Sequence, residues 1–315
     1  AACPALPDGF AAVAPGVAPD AANRCDYRSA WQALQLLQQY GVRKGLLADA
    51  TARAQAARDL AAWASDAYRQ TVSTAELAWL TARHDGFDAA QPLLAQAQRL
   101  AARSGDPVLQ VRVKMAEAQI ASQREELDAM RRLVEEALPL ARRADSPRLE
   151  ASLLTFLSDV HARQQRPTEA LRAAERGLRI ALRHADRRTE RILTNNAGLA
   201  RIGLGRIAEG KQDLARVEQL TRGAGLLALQ AIALREYDDA LAAAGDLRGA
   251  LELYHRERAL SAQIMGQNRE AALKQLQLRN GRERKQRDIE LLARDNQLKS
   301  AALTSRDLML RVWAV

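Results

Sequence analysis

The residues able to do chemistry are few and scattered. Four histidines occur, His84, His161, His184 and His255. None pairs with Cys, Asp or Glu at a metal-ligand spacing, so each reads as a solvated or packed side chain. The adjacent carboxylates Glu125/Glu126 and Glu135/Glu136 diverge on a helix, where neighbours three or four apart share a face. The Gly203–Gly210 stretch, GLGRIAEG, has the wrong spacing for a phosphate loop. No strand precedes it and no Lys-Ser/Thr follows. No nucleophile stands beside a base. The chain itself carries no catalytic residue, and no metal or cofactor is expected. Binding remains. Asn195, Asn196 and, one turn on, Arg201 could hold an acidic peptide, a protein segment or a small anion.

The elements that must position these residues are helices. Of 315 residues, 65 are alanine, and aromatics make up only 4%. Ala, Leu, Arg, Gln and Glu are strong helix formers, and so few β-branched and aromatic residues nearly exclude a large sheet. The net charge of +9 arises from 41 Arg and 6 Lys against 38 acidic residues. It is diffuse except over residues 255–306, with 12 basic and 6 acidic side chains. A solvated helix face explains that stretch better than a nucleic-acid footprint.

Short Gly, Pro or polar turns recur at a fixed period. They precede Ala90, Ala129, Ala170, Gly210 and Ala250, at intervals of 39, 41, 40 and 40. Twelve residues upstream stand Ala78, Glu117, Ser158, Gly198 and Asp238. Each unit is two helices joined by a tight turn. Small side chains sit where the helices cross, which lets their axes approach closely. One hairpin cannot bury both faces, but five or six stacked hairpins can.

This pattern resembles the tetratricopeptide repeat family. The best unit, Leu157–Leu178, has Ser158, Ala170 and Gly177 at the small-residue positions. Glu236–Leu260 is also good, while Glu117 and Glu136 depart from the pattern in the second unit. The resemblance implies an all-α solenoid whose first helices line a groove, placing Asn195 and Asn196 there. Residues 72–264 form the repeats, and 27–71 add capping helices broken at Gly41.

The ends carry separate expectations. Residues 1–26 form a Pro- and Ala-rich arm holding the only two cysteines, Cys3 and Cys25. One disulfide in an oxidising compartment is the leading reading, with free thiols or a lipid on Cys3 as alternatives. Ala1-Ala2 fits a start left by signal removal. Residues 265–307 form a charged helix with a seven-residue beat. One register puts Ile289, Leu292, Asn296 and Leu303 on a homodimer seam, with a bend near Asn280-Gly281. Residues 308–315, Leu308 to Val315, look like the start of a membrane span, with Trp313 at interface depth; a terminal helix docking on the array is the alternative.

In this order the parts resemble the periplasmic sensor region of bacterial inner-membrane receptors that end in a diguanylate cyclase or a histidine kinase. The resemblance implies ligand sensing in the array and transmission through a dimer of the C-terminal helix. No GG[DE]EF loop or phospho-acceptor motif is present, so any enzymatic output would lie beyond Val315. A tethered scaffold without output, and a cytosolic regulator that binds nucleic acid or peptides, are the competing readings.

Overall fold

A computed structural model describes residues 26–223 and 226–313. Twelve helices fill them: α1 (Tyr27–Lys44), α2 (Leu47–Trp63), α3 (Ala67–His84), α4 (Phe87–Ser104), α5 (Pro107–Gln123) and α6 (Leu127–Arg143). The remainder are α7 (Pro147–Arg163), α8 (Pro167–Arg183), α9 (Arg187–Gly203), α10 (Ile207–Gly223), α11 (Leu227–Ala243) and α12 (Leu247–Trp313). Helix starts therefore fall every 20 residues from Tyr27 to Leu247, and hairpins every 40.

The joints explain this regularity. At the first helix–helix junction between hairpins, Ser65 takes φ 54°. Its N–H bonds to Ala62 O at 3.0 Å, and the Asp66 N–H bonds to Ala61 O at 2.9 Å. That is a Schellman stop. The Asp66 carboxylate then accepts from the Arg69 N–H at 2.9 Å and caps the next helix. One residue thus stops a helix and the next caps its successor. Asp26, Asp106 and Asp186 cap the same way. Pro107, Pro147 and Pro167 occupy the first helical turn, where no N–H partner is lost.

The core is thin and alanine-rich. Ala137, Ala141, Val134, Met130, Leu153 and Leu154 pack in one buried cluster across α6 and α7. Ala170, Ala174, Leu193 and Ala197 do the same across α8 and α9. At the crossing of α7 and α8 the Ser158 hydroxyl donates to Ala170 O at 2.9 Å, so the small polar residue is satisfied inside the hairpin. At the crossing of α9 and α10 a β-carbon on Gly210 would lie 2.8 Å from Gly198 O, so the backbones nearly touch.

Several sequence expectations are corrected here. In the second unit the turn is one residue later than read, because α6 starts at Leu127. The equivalent positions are Ala118, Met130 and Ala137, all buried, so the departures at Glu117 and Glu136 disappear. Gly41 does not break the first hairpin. Helix α1 runs through it to Lys44, and Gly41 lets α2 approach, with its would-be β-carbon 3.2 Å from the Ala50 β-carbon. Nor does the chain bend at Gly281, since α12 is one helix from Leu247 to Trp313. The 71/72 division falls inside α3.

Helix α12 closes the sixth hairpin and continues outward. Leu247, Leu251 and Tyr254 are exposed on it, whereas Val134 and Leu214, at the positions equivalent to Tyr254, are buried by the next hairpin. From residue 265 to 300 the described side chains of α12 are all exposed and pack on none of the repeats. Among the described residues no helix is long and apolar enough to cross a membrane.

Candidate functional site: the face formed by the first helices

The first helix of each hairpin lies beside that of the next. Trp31 Nε1 of α1 donates to Ser73 Oγ of α3 at 2.8 Å. Asn195 Nδ2 of α9 donates to Glu236 Oε2 of α11 at 2.8 Å. Between core-facing positions, each first helix presents half-buried side chains one turn apart. These include Glu76 and Trp79 on α3, Arg112 and Met115 on α5, Phe156 and Asp159 on α7, and Asn195, Asn196 and Leu199 on α9. The period places Glu76, Phe156, Asn196 and Glu236 at one equivalent position.

The three residues singled out from sequence separate into two environments. Asn195 and Asn196 lie on this shared face. Asn195 Oδ1 is buried and has no partner, while its main-chain O accepts from the Tyr237 hydroxyl at 3.3 Å. Arg201 points the other way, toward the second helices. Its guanidinium donates to Glu175 of α8 at 2.8 Å and to Asp213 of α10. Burial lowers its pKa, but Asp213 and Glu175 outweigh that and hold it above the ordinary arginine value. Arg201 therefore serves as an ionic tie among α8, α9 and α10, and its charge is already engaged.

Charges of both signs act around Glu236, the partner of Asn195. Burial pushes the Asp159 carboxyl up, Arg163 opposes this, and Glu236 adds to it. The Arg191 guanidinium is held below its usual value by burial and by Arg188, with Glu236 opposing. At the opposite end of the face, Gln38 Nε2 donates to Glu76 Oε2 at 3.2 Å. Burial raises the Glu76 carboxyl, and Gln38, Arg112 and Gln35 pull it back. The sequence reading missed Gln35, Gln38, Glu76 and Arg112. Once Asn196 is chosen, the 40-residue register leads to Glu76 directly. The other three are found only by stacking three hairpins.

The remaining predicted positions are quickly placed. Ile289 and Leu292 are exposed on α12, Asn296 is exposed beside them, and Leu303 lies in its helical continuation. Cys3 and Cys25, with the proposed arm, fall outside the described residues. His84 Nδ1 pairs with Asp85 at 2.6 Å. Burial holds His161 below its ordinary pKa, with Glu169 and Glu135 opposing. Among the described residues no cluster of His, Cys, Asp and Glu is set for a metal ion.

The fold is a tetratricopeptide-like array of stacked helical hairpins. No family model and no curated protein matches the sequence. Solved structures do match the fold. The apo form of RapI aligns with TM-score 0.56 and 14% identity, over 76% of this chain and 93% of its own. A Rap protein complexed with Competence and Sporulation Factor aligns with TM-score 0.55 and 10% identity, over 75% and 76%. A signal-transduction ATPase with a tetratricopeptide repeat sensor, from Pyrococcus horikoshii, gives TM-score 0.56 and 12% identity, over 73% of this chain and 36% of its own.

Proposed function

We propose that this chain is a sensing module that binds a peptide or protein segment, or a small polar ligand, on the face of its first helices. It passes the event on through α12. The observation that carries the reading is the pairing of that face with a 67-residue helix leaving the array. Such a helix exposes Leu273, Leu276, Ile289, Leu292 and Leu298 to water. Isolated helices draw most of their stability from tertiary packing, so a second chain along α12 is favoured. The fold neighbours support the binding part, since one is complexed with Competence and Sporulation Factor and another carries a repeat sensor.

In its finer form the module is the periplasmic part of an inner-membrane receptor. It is a homodimer along Ile289, Leu292, Asn296 and Leu303, anchored by a span after Leu308, and its output is a diguanylate cyclase. A ligand then biases the dimer only by its difference in affinity for two arrangements of the paired helices. A histidine kinase output, or a tethered scaffold with none, fits the same array.

Single cysteines at Ile289 and at Leu298, in a background lacking Cys3 and Cys25, test the dimer. Oxidative cross-linking in intact membranes is expected at Ile289 and weaker at Leu298. No cross-link at either position removes the paired-helix reading. Sequencing the reading frame past Val315 for a GG[DE]EF or kinase domain decides the output.

A further inference from the structure

Three successive first helices bring four polar heads together at the N-terminal end of the binding face. Gln35 and Gln38 come from α1, Glu76 from α3 and Arg112 from α5. Gln35 and Gln38 are only 7% and 4% exposed, a degree of burial at which amides normally have every partner. Here they do not. Gln38 gives its Nε2 to Glu76, and its Oε1 is buried with no partner. The Gln35 amide lies near enough to favour ionised Glu76, yet its Nε2 makes no hydrogen bond of normal geometry. The buried Arg112 Nε is also without a partner. The Arg112 guanidinium acts on Glu76 through space, but no ion pair or hydrogen bond joins them.

Each unpartnered buried head costs about 1–3 kcal/mol, so an array of such heads on one face calls for an occupant. Their chemistry is mixed. A carboxylate and an amide oxygen accept, and a guanidinium and an amide nitrogen donate. Glu76 and Arg112 attract one another yet form no ion pair, so a species with both charges could pair with each. A residue inside a peptide carries no such pair on its backbone, and a simple anion or cation would satisfy only half the heads. A free α-amino acid satisfies all of them. Its ammonium has three donors for Glu76 and Gln38 Oε1, and its carboxylate can take a forked contact from Arg112 plus the Gln35 amide. Trp79 and Met115, three residues on from Glu76 and Arg112, lie on the same helix faces; both pack on the core, and the part of each left exposed offers apolar surface for its side chain.

We propose that Gln35, Gln38, Glu76 and Arg112 form a binding site for a free α-amino acid, read through its paired ammonium and carboxylate. This deepens the sensing reading and rests on it by naming a ligand class. The α12 cross-linking experiment tests transmission separately, so either can fail alone.

The test uses the whole 315-residue chain. Its melting temperature is measured with each of the twenty free L-amino acids, and calorimetry follows on any that raise it. At least one is expected to stabilise the chain, since a ligand that binds only the native state raises stability by mass action. Its N-acetyl and carboxamide derivatives, each lacking one charge, are expected to bind at least tenfold more weakly. Glu76→Gln and Arg112→Gln, checked for unchanged helical content, are expected to weaken binding at least tenfold. If Glu76→Gln does not fold, Arg112→Lys, at a half-exposed position, reads the same loss of the forked contact. Three results overturn the proposal: no free amino acid stabilises the chain, the blocked derivatives bind as well as the parent, or the folded variants bind unchanged.

Discussion

The Tyr237 hydroxyl lies directly over Gly198, 1.8 Å from where a β-carbon on that glycine would stand. The ring is fully buried, and burial together with Asp213 and Glu236 pushes the phenol far above its ordinary pKa. Helices α9 and α11 thus meet through the absence of a side chain on one and a large aromatic on the other. The phenol remains neutral and donates to Asn195 O, which ties the candidate face to the core behind it.

Gly198→Ala is therefore expected to destabilise. Alanine gains about 1 kcal/mol of helix propensity over glycine. Overpacking a rigid ring costs about 1–3 kcal/mol and can exceed that. The clash wins, for a net loss of about 2 kcal/mol by denaturant melting. Paired with Tyr237→Leu, the same change should cost clearly less than the sum of the two single effects. Strict additivity would show that the two residues do not share this contact.

A second prediction concerns acid. The Glu150 carboxylate accepts from Arg142 at 3.0 Å and also from Arg176. Burial raises its pKa, but the two arginines outweigh burial and leave it below the ordinary carboxylate value. A pKa depressed in the folded state contributes stability above the unfolded pKa, and that stability is lost as pH falls through the folded value. The melting-temperature gap between wild type and Glu150→Gln should be constant near neutrality and close on acidification. A gap that widens below the carboxylate range would contradict the arginine pairing.

The Glu150–Arg176 tie repeats one unit later as Glu190–Arg216, where Arg216 Nε donates to Glu190 at 3.1 Å and Arg187 adds a contact at 2.9 Å. Glu190 is 2% exposed, so its partners are its only solvation. Arg216→Ala is expected to cost about 2–3 kcal/mol, because it strips part of the compensation from a buried charge. Arg279→Ala, which removes an exposed pair with Glu283 on α12, should cost under about 0.5 kcal/mol. Equal losses would show that burial does not distinguish the two.

The turns offer a stabilising change. Ala185 holds φ 51°, a left-handed conformation that costs an L-residue about 1–2 kcal/mol. Gly105, at φ 65°, takes this conformation at an equivalent joint between hairpins without that cost. Ala185→Gly should raise stability by about 0.5–1 kcal/mol once the extra freedom of the unfolded chain is subtracted. Destabilisation on thermal melting would mean that the joint does not adopt this turn.

Truncation after Ile264 separates the array from its outward helix. The described side chains from Met265 to Ser300 are exposed and pack on no repeat. The shortened chain should melt within about 2 °C of the full one, because surface away from packed contacts contributes little. It should also lose any dimer that runs along α12, as read by sedimentation. A large drop in melting temperature would place α12 in contact with the repeats.

Much of this architecture was legible in the residues alone. Alanine content dictated thin all-helical packing. The recurring turns and small residues at Ser158, Gly198, Ala170 and Gly210 dictated hairpins, because only small side chains allow such close crossings. The 20-residue helix spacing follows from the joints, where one residue stops a helix and the next caps its successor. Register in the second unit was not legible. Ala129 and Met130 are adjacent, and only the burial of Met130 against α7 decides between them. Gly41 reads as a breaker by propensity, but the close approach of α2 keeps it helical. Asn195 and Arg201 read as one site at helical spacing, yet neighbouring helices claim them separately, since Glu236 lies on one side of α9 and Asp213 on the other. Gln35, Gln38, Glu76 and Arg112 span 78 positions of sequence and meet only because three hairpins stack side by side. Local chemistry determined the elements and their period; the lateral packing of first helices decided which polar heads face one another and which are left without partners.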